Sequence, residues 1–235
     1  LRTIPTEGAI TPELPIMPYD HVRLLIEGFH NEIAVANCVC KDGGDTIEHP
    51  CNNTDNRENC LIFGSAARKY ERLGWGRLIS KEEVYEILEN AEKAGLVVQP
   101  SNTQKLFAIC LCCGCCCEIL TSAKVIENPV QYFATNYQAE VDQNTCEGCK
   151  ICEKRCQMDA VTAIDKVASI DKTRCIGCGI CVPTCKSKAV GLFQKETIKV
   201  PPKDAARLYL DIMKKKVGRA NYTVMLTKQL LGNLI

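Results

Sequence analysis

The chain has 235 residues, of which 46% are hydrophobic and 24% are charged, a balance typical of folded proteins that excludes extensive disorder. Its formal net charge is +1, so no global field attracts nucleic acid or an anionic membrane, and we expect no nucleic-acid partner. The sequence lacks a run of about 18 apolar residues and any signal-peptide or twin-arginine pattern, which predicts no transmembrane segment and a cytoplasmic location.

Cysteine is the most informative residue type in this chain. Eighteen cysteines make up about 8% of it, a density found in short secreted disulfide scaffolds and in metal or cluster proteins. Disulfides link distant loops, whereas a group of five cysteines here occupies six consecutive positions and has unfavourable geometry for bridging. That group is Cys112, Cys113, Cys115, Cys116 and Cys117. We therefore expect thiolate-bound metal in the reducing interior of an anaerobic cell.

The N-terminal third begins with an extended arm over residues 1–18, where four prolines occur without any period. Apolar residues spaced along one face predict a helix over 20–30, and the apolar run 33–36 predicts a buried strand ending at Cys38 and Cys40. Residues 41–59 are polar and predict a loop that carries Cys51, with Cys60 directly after it.

A capping box of Ser80 and Glu83 begins the strongest helix of the sequence, which Gly95 ends. Residues 96–98 and 106–109 then predict two strands joined by a turn, so the region ends as a winged helix-turn-helix does. The glutamates of the helix would repel phosphates, which disfavours DNA binding. The cysteine-rich stretch 110–117 follows, and a helix is expected over 118–126.

One cysteine pattern occurs twice in the C-terminal half, the second copy 29 residues after the first. In each copy two residues separate the first three cysteines, and three residues separate the third from the fourth. Three cysteines with this spacing can surround one [4Fe-4S] cube. In two-cluster proteins the fourth cysteine of each run ligates the other cluster. Cluster 1 is therefore expected to take Cys146, Cys149, Cys152 and Cys185. Cluster 2 is expected to take Cys175, Cys178, Cys181 and Cys156. A pair of four-cysteine zinc sites is the alternative, although zinc ribbons do not need the third, equally spaced cysteine.

Residues 139–195, through these eight cysteines, resemble the bacterial two-[4Fe-4S] ferredoxin family. The resemblance implies an α+β fold of two hairpins and two short helices around the clusters, and one-electron transfer as the activity. Residues 161–164 and 167–170 fit one such hairpin. The family usually has proline after each fourth cysteine, whereas Gln157 and Lys186 stand there, which affects local geometry rather than ligation.

Ten cysteines lie outside the repeat. They predict a third metal centre, and their number also allows a fourth metal centre. An iron-sulfur cluster is favoured over zinc there, and a redox-active disulfide is the weaker alternative. Cys110 and Cys117 are expected to be buried free thiols. The candidate ligands are Cys38, Cys40, Cys51, Cys60, Cys112, Cys113, Cys115 and Cys116.

The order of these motifs along the chain resembles that of a group of larger uncharacterised ferredoxin-type proteins of anaerobes. The expected fold class is α+β: a cysteine-rich N-terminal α/β domain, a ferredoxin-like two-[4Fe-4S] domain and a C-terminal helix. The domain boundaries expected are an arm at 1–18, a metal- or cluster-binding domain at 19–138, the ferredoxin domain at 139–200 and a helical extension at 201–235.

The sequence has no dinucleotide-binding fingerprint, phosphate-binding loop or nucleophile elbow. A chain of this kind must exchange electrons with redox protein partners or within a larger oxidoreductase complex. We therefore interpret it as a ferredoxin-like carrier or an electron-wiring subunit of an anaerobic oxidoreductase. Two alternatives remain: a redox- or metal-responsive regulator using the winged-helix-like segment, and an enzyme with an open-site cluster in the N-terminal domain.

Overall fold

The computed structural model describes residues 2–30, 32–218, 221–224 and 227, and it mixes helices and strands. The elements before residue 113 are α1 (Val22–Glu27), β1 (Ile33–Asn37), α2 (Val39–Thr46), β2 (Glu58–Phe63), α3 (Ser65–Arg72), β3 (Gly76–Leu78), α4 (Lys81–Lys93), β4 (Val97–Pro100) and β5 (Ala108–Cys112). Those after it are α5 (Glu118–Lys124), β6 (Tyr137–Val141), α6 (Ile151–Arg155), β7 (Val161–Ile164), β8 (Val167–Ile170), β9 (Val190–Gln194) and α7 (Ala205–Val217).

The first part of the chain is built on a five-stranded antiparallel sheet with the order β3-β1-β2-β5-β4. Side chains alternate between its faces. Val35, Leu61 and Ile109 lie side by side on one face, and α1 and α4 cover them. On the other face Ala34 and Ile62 pack against α3. We call these the α4 face and the α3 face.

The predicted capped helix is confirmed as α4, because the Ser80 hydroxyl accepts a hydrogen bond from the Glu83 amide. The two predicted strands after it are confirmed as the antiparallel pair β4 and β5. Pairing with β2 incorporates that hairpin into the larger sheet, so it does not form the free wing of a winged-helix domain.

Strands β1 and β5 are not direct neighbours, because β2 lies between them. Each is antiparallel to β2, so β1 and β5 run in the same direction and their C-terminal ends lie at the same end of the sheet. The loop predicted after Cys40 is partly wrong. Helix α2 begins at Val39, and its Lys41 side chain is buried and donates to the Leu111 carbonyl at 3.0 Å, a tertiary contact that overrides weak helix propensity.

The repeated segment forms two antiparallel strand pairs, β6 with β9 and β7 with β8, the second being the predicted hairpin. A short helix, α6, follows the first cysteine run. The helix expected in the second copy is absent from this described stretch, where 3-10-like turns lead to Cys185. Pro183 accounts for the difference, because it stands where Lys154 stands in α6, whose amide donates to the Lys150 carbonyl, and proline has no amide hydrogen to donate.

The N-terminal arm packs against both parts of the molecule. Ile4 is buried in the core under the α4 face, while Ala9 and Leu14 belong to the core of the repeated segment. The arm's amides donate to both parts as well, since Ile4 bonds to the Val98 carbonyl and Thr6 to the Cys178 carbonyl. At the other end α7 begins at its cap Asp204, close to the predicted start, and buries none of its residues.

Candidate metal centres

Cysteines from both copies of the repeat surround a single apolar cavity. Cys175, Cys178 and Cys181 of the second run line it together with Cys156, the last cysteine of the first run. The remaining lining is largely aliphatic and includes Met158 and several alanine, valine and isoleucine side chains. Four thiolates around an apolar space match the donor set of an iron-sulfur cube.

Backbone amides are directed at the sulfur atoms of these runs. The Ala139 amide donates to Cys175 Sγ at 3.4 Å, and the Ala168 amide, 29 residues further along, donates to Cys146 Sγ at the same distance. The Ala160 amide donates to Cys156 Sγ at 3.2 Å. Such bonds stabilise negative charge on sulfur and orient the ligands.

Burial sets the protonation of the inner cysteines. It raises the pKa of Cys178 to about 12, even though the Ile180 amide opposes it, and the nearby Cys156 and Cys175 thiols add to the rise. Burial likewise raises the pKa of Cys181 and Cys156. A bound cation must therefore displace protons here, as is usual when thiols become ligands.

The first run lies closer to solvent. Cys149 is exposed, while Cys152 is buried and has its pKa raised by burial and by the neighbouring Cys149 and Cys146. Cys185 is half-buried, packs against the core of the repeat and has its sulfur 3.7 Å from the Ser187 hydroxyl.

A second group of cysteines lies on the α4 face at the end of β5. The sulfur atoms of its four members all lie within 4.8 Å of one another: Cys51, Cys113, Cys115 and Cys116. Cys113 Sγ is 3.4 Å from Cys51, 3.3 Å from Cys115 and 3.1 Å from Cys116, and Cys51 is 3.8 Å from Cys115. We call this set the Cys51 group, and its geometry is that of a site for a metal ion.

The thiols of the Cys51 group differ in pKa. Burial raises the pKa of Cys113 to about 11 and raises that of Cys116 as well. Burial also acts to raise the pKa of Cys51, but hydrogen bonds from the Asn53 and Thr54 amides and from neighbouring thiols outweigh it and lower the pKa. Metal binding must therefore release protons from Cys113 and Cys116, because the thiolate is the form that binds a metal.

Six further cysteines gather on the α3 face at the same edge. They are Cys38, Cys40, Cys60, Cys110, Cys112 and Cys117. Cys60 and Cys110 are paired across β2 and β5, and their thiols interact. Cys112 contacts both Cys110 and Cys117. We call this set the Cys110 group.

Interactions within the Cys110 group lower the pKa of some of its thiols and raise the pKa of others. Hydrogen bonds from Cys112 and Cys60, helped by the Lys41 cation, lower the pKa of Cys110 to about 3 and correspondingly raise that of Cys60. A bond from Cys112 lowers the pKa of Cys117 to about 6, and the Leu120 and Ile119 amides at the start of α5 support this.

The structure connects the Cys51 group to the repeat through Gln157. The Gly114 amide, between Cys113 and Cys115, donates to Gln157 Oε1 at 2.6 Å, and Gln157 directly follows Cys156. A methyl group added to Gly114 would lie 2.2 Å from the Gln157 carbonyl oxygen. Gln157 is therefore one contact between the Cys51 group and the repeat.

A protein-family model, described as a 4Fe-4S binding domain, matches residues 168–190, which contain Cys175, Cys178, Cys181 and Cys185. The chain contains an iron-sulfur segment of ferredoxin type. No curated protein was found to match the chain. The helices of the described residues do not include one long and apolar enough to cross a membrane.

The structure divides the eight N-terminal cysteines expected as ligands. Cys51, Cys113, Cys115 and Cys116 come together on one face, and Cys38, Cys40, Cys60 and Cys112 lie on the other. The expectation that Cys110 is buried is wrong, because the residue is exposed. The period of two along β5 was the signal that places Cys110 with Cys112.

Proposed function

We propose that this iron-sulfur protein transfers electrons as a ferredoxin-like carrier or as an electron-wiring subunit of an anaerobic oxidoreductase complex. Its two [4Fe-4S] clusters are held by the crossed ligand sets of the repeat. Cluster 1 binds Cys146, Cys149, Cys152 and Cys185. Cluster 2 binds Cys175, Cys178, Cys181 and Cys156. A third centre, at the Cys51 group, holds a single metal ion.

The observation that carries this proposal is the cavity that Cys156 lines together with the first three cysteines of the second run. A crossed ligand set requires the last cysteine of one run to lie with the first three of the other. A cube bound by four thiolates supplies reversible one-electron transfer and leaves no position for a substrate.

The protein's own residues define the environment of that transfer. The aliphatic side chains lining the cavity, among them Met158 and Ile180, exclude water from cluster 2. The amides of Ala139, Ala160 and Ala168 donate to sulfur and favour the more negative, reduced state. Exposure of Cys149 makes cluster 1 the contact point for an external redox protein.

The spacing of the Cys51 group supports a single ion there rather than the iron-sulfur cluster favoured by the sequence alone. A tetrahedral ion with metal-sulfur bonds of about 2.3 Å separates its ligand atoms by about 3.8 Å. Four of the six sulfur-sulfur distances are 3.1 to 3.8 Å, close to that value, and all six are within 4.8 Å. Zinc or iron in such a site would fix the loop that carries Cys51 to the turn at Gly114.

Metal and sulfide analysis with EPR of the anaerobically purified chain tests the proposal. We expect two reducible [4Fe-4S] signals from the repeat and one metal ion at the Cys51 group. Cys156→Ser and Cys185→Ser should each perturb a different cluster, Cys156→Ser that of the second run and Cys185→Ser that of the first. The variant Cys51→Ala should lose the single ion while both EPR signals remain.

Two results would contradict this account. If the purified chain is colourless and carries only zinc, the electron-transfer role is wrong. If Cys156→Ser perturbs the cluster bound by Cys146, Cys149 and Cys152, the ligand sets are not crossed.

A further inference from the structure

The Cys110 group occupies the face of the sheet opposite the Cys51 group. Register pairs align Ala36, Cys60 and Cys110 across β1, β2 and β5, so the cysteines of these strands share the α3 face. Cys112, two residues after Cys110, shares that face, whereas Cys113 packs in the core of the α4 face. The alternation of β5 therefore sends consecutive cysteines into two separate groups.

A chain of interactions links four members of the Cys110 group. Cys40, in the first turn of α2, interacts with Cys60, Cys110 and Cys117. Cys110 in turn interacts with Cys60 and with Cys117. Cys38 and Cys112 lie at the two sides of this set: Cys38 is next to Cys40 and Cys60, and Cys112 is next to Cys110 and Cys117.

A buried cation accompanies these thiols. Lys41 is 1% exposed, and its ammonium group donates to the neutral carbonyl of Leu111, which lies between Cys110 and Cys112 in sequence. The ion pairs found among the described residues do not include Lys41. A buried ammonium group is costly without an anion nearby, and a thiolate-bound metal cluster carries net negative charge.

We propose that Cys40, Cys60, Cys110 and Cys117 bind a further iron-sulfur cluster, separate from the ion of the Cys51 group and from the two clusters of the repeat. Their sulfur atoms are more widely spread than those of the Cys51 group, which alone among the described residues has all its sulfurs within 4.8 Å of one another. The cysteines around the cavity of the repeat are spread in the same way. A single ion with bonds of about 2.3 Å cannot reach ligands at that separation, whereas a polynuclear cluster can.

The test compares full-length chains that are purified anaerobically and reconstituted with ferrous iron and sulfide. The double variant Cys60→Ala/Cys110→Ala should lose about four iron and four sulfide per chain. Cys38→Ala is the matched control, because Cys38 belongs to the same face but lies outside the four ligands, and it should keep its full iron content. The EPR signals of the repeat should persist in both variants, which shows that each chain has folded.

A second variant tests the site without removing a ligand. Lys41→Met keeps much of the buried aliphatic stem and removes the charge, so the additional cluster should become harder to reduce. Its midpoint potential should shift downwards while those of the repeat stay unchanged. An unchanged iron content in Cys60→Ala/Cys110→Ala would overturn the proposal, as would a loss of iron in Cys38→Ala equal to that in the double variant. Neither result would alter the expected clusters of the repeat.

Discussion

At the scale of single residues, the contact between Gly114 and Gln157 couples the two cysteine-rich parts. The Gly114 amide is bonded to the Gln157 side chain, and the Gln157 carbonyl lies where a β-carbon of residue 114 would be. Only glycine permits backbone to approach backbone this closely. A bonded route from Cys156 to Cys113 and Cys115 therefore runs through this pair.

Gly114→Ala tests that close approach. The new methyl group would overlap the Gln157 carbonyl, so we expect destabilisation of about 1–3 kcal/mol or more and a clearly lower thermal unfolding midpoint. Gly28→Ala is the matched control, because nothing lies within 4 Å of its added methyl group and its φ of −72° suits alanine. An equal effect of both changes would contradict a specific role for Gly114.

A buried ion pair fixes the beginning of the N-terminal arm. Arg2 contacts Asp20 at 3.2 Å and donates to the Thr103 carbonyl, while Asn136 donates to the second oxygen of Asp20. Burial raises the pKa of Asp20, although Asn136 and Arg2 both act to lower it. The carboxylate thus depends on these partners for its charge.

Arg2→Met should destabilise the chain by about 3–5 kcal/mol at neutral pH, since it leaves a buried carboxylate without its cation. The pKa of Asp20 in the folded variant then rises further. A raised folded pKa means that the deficit is smallest in acid, where the carboxyl is protonated in both states, and grows as the pH rises above about 4. Thermal unfolding at several pH values checks this. Arg2→Met/Asp20→Asn should recover part of the loss and remove its pH dependence.

At the scale of elements, the sequence was informative where a period or a cap was strong. Ser80 and Glu83 marked the start of α4, and the regular cysteine spacing marked the repeat. Helix α2 could not be recognised, because Gly43 and Gly44 weaken its propensity and the burial of Lys41 depends on β5. The division of the N-terminal cysteines into two groups was equally out of reach, since it depends on the insertion of β2 between β1 and β5.

For the N-terminal arm, the sequence predicted the least of what the structure shows. Prolines without a period indicated an extended segment, and only the tertiary fold shows that it is buried between the two parts. Its contacts include a hydrogen bond from the Thr6 hydroxyl to Glu92 of α4 and one from the Thr6 amide to the Cys178 carbonyl.

Ile4→Ala tests whether the arm holds the two parts together. Ile4 is completely buried, so its truncation should cost about 2–5 kcal/mol and make the arm more susceptible to limited proteolysis. Leu24→Ala is a suitable control, because Leu24 is 48% exposed and its truncation should have little effect. Unchanged proteolysis of the arm in Ile4→Ala would contradict this role.

At the scale of the whole molecule, the two cysteine runs of the repeat differ in their access to solvent. Cys149 is exposed, whereas Cys175 and Cys181 are buried, and Cys178 is tied to the arm. Lys150, Lys154 and Lys166 are exposed near the first run, opposed by the acidic Glu147 and Asp165. The first run is thus the end of the repeat that can meet another protein, and its charge is weakly positive.

Charge reversal tests this orientation. Lys150→Glu/Lys154→Glu should slow reduction of the chain by a small acidic redox protein by about tenfold at low salt, with a smaller effect at high salt. Lys215→Glu/Lys216→Glu places the same charge change on α7 and should leave the rate nearly unaltered. Stopped-flow absorbance measures both. A larger effect of the α7 variant would move the docking surface to that helix.

The alternation of β5 has a consequence for how the protein is assembled. Cys112 and Cys113 are joined by one peptide bond, yet they point into cysteine groups on opposite faces of the sheet. Metal bound at Cys110 on one face or at Cys113 on the other restricts the backbone of the short stretch between them, and so pre-arranges the ligands of the other group. We expect metal insertion to be cooperative, with the first insertion lowering the entropic cost of the second.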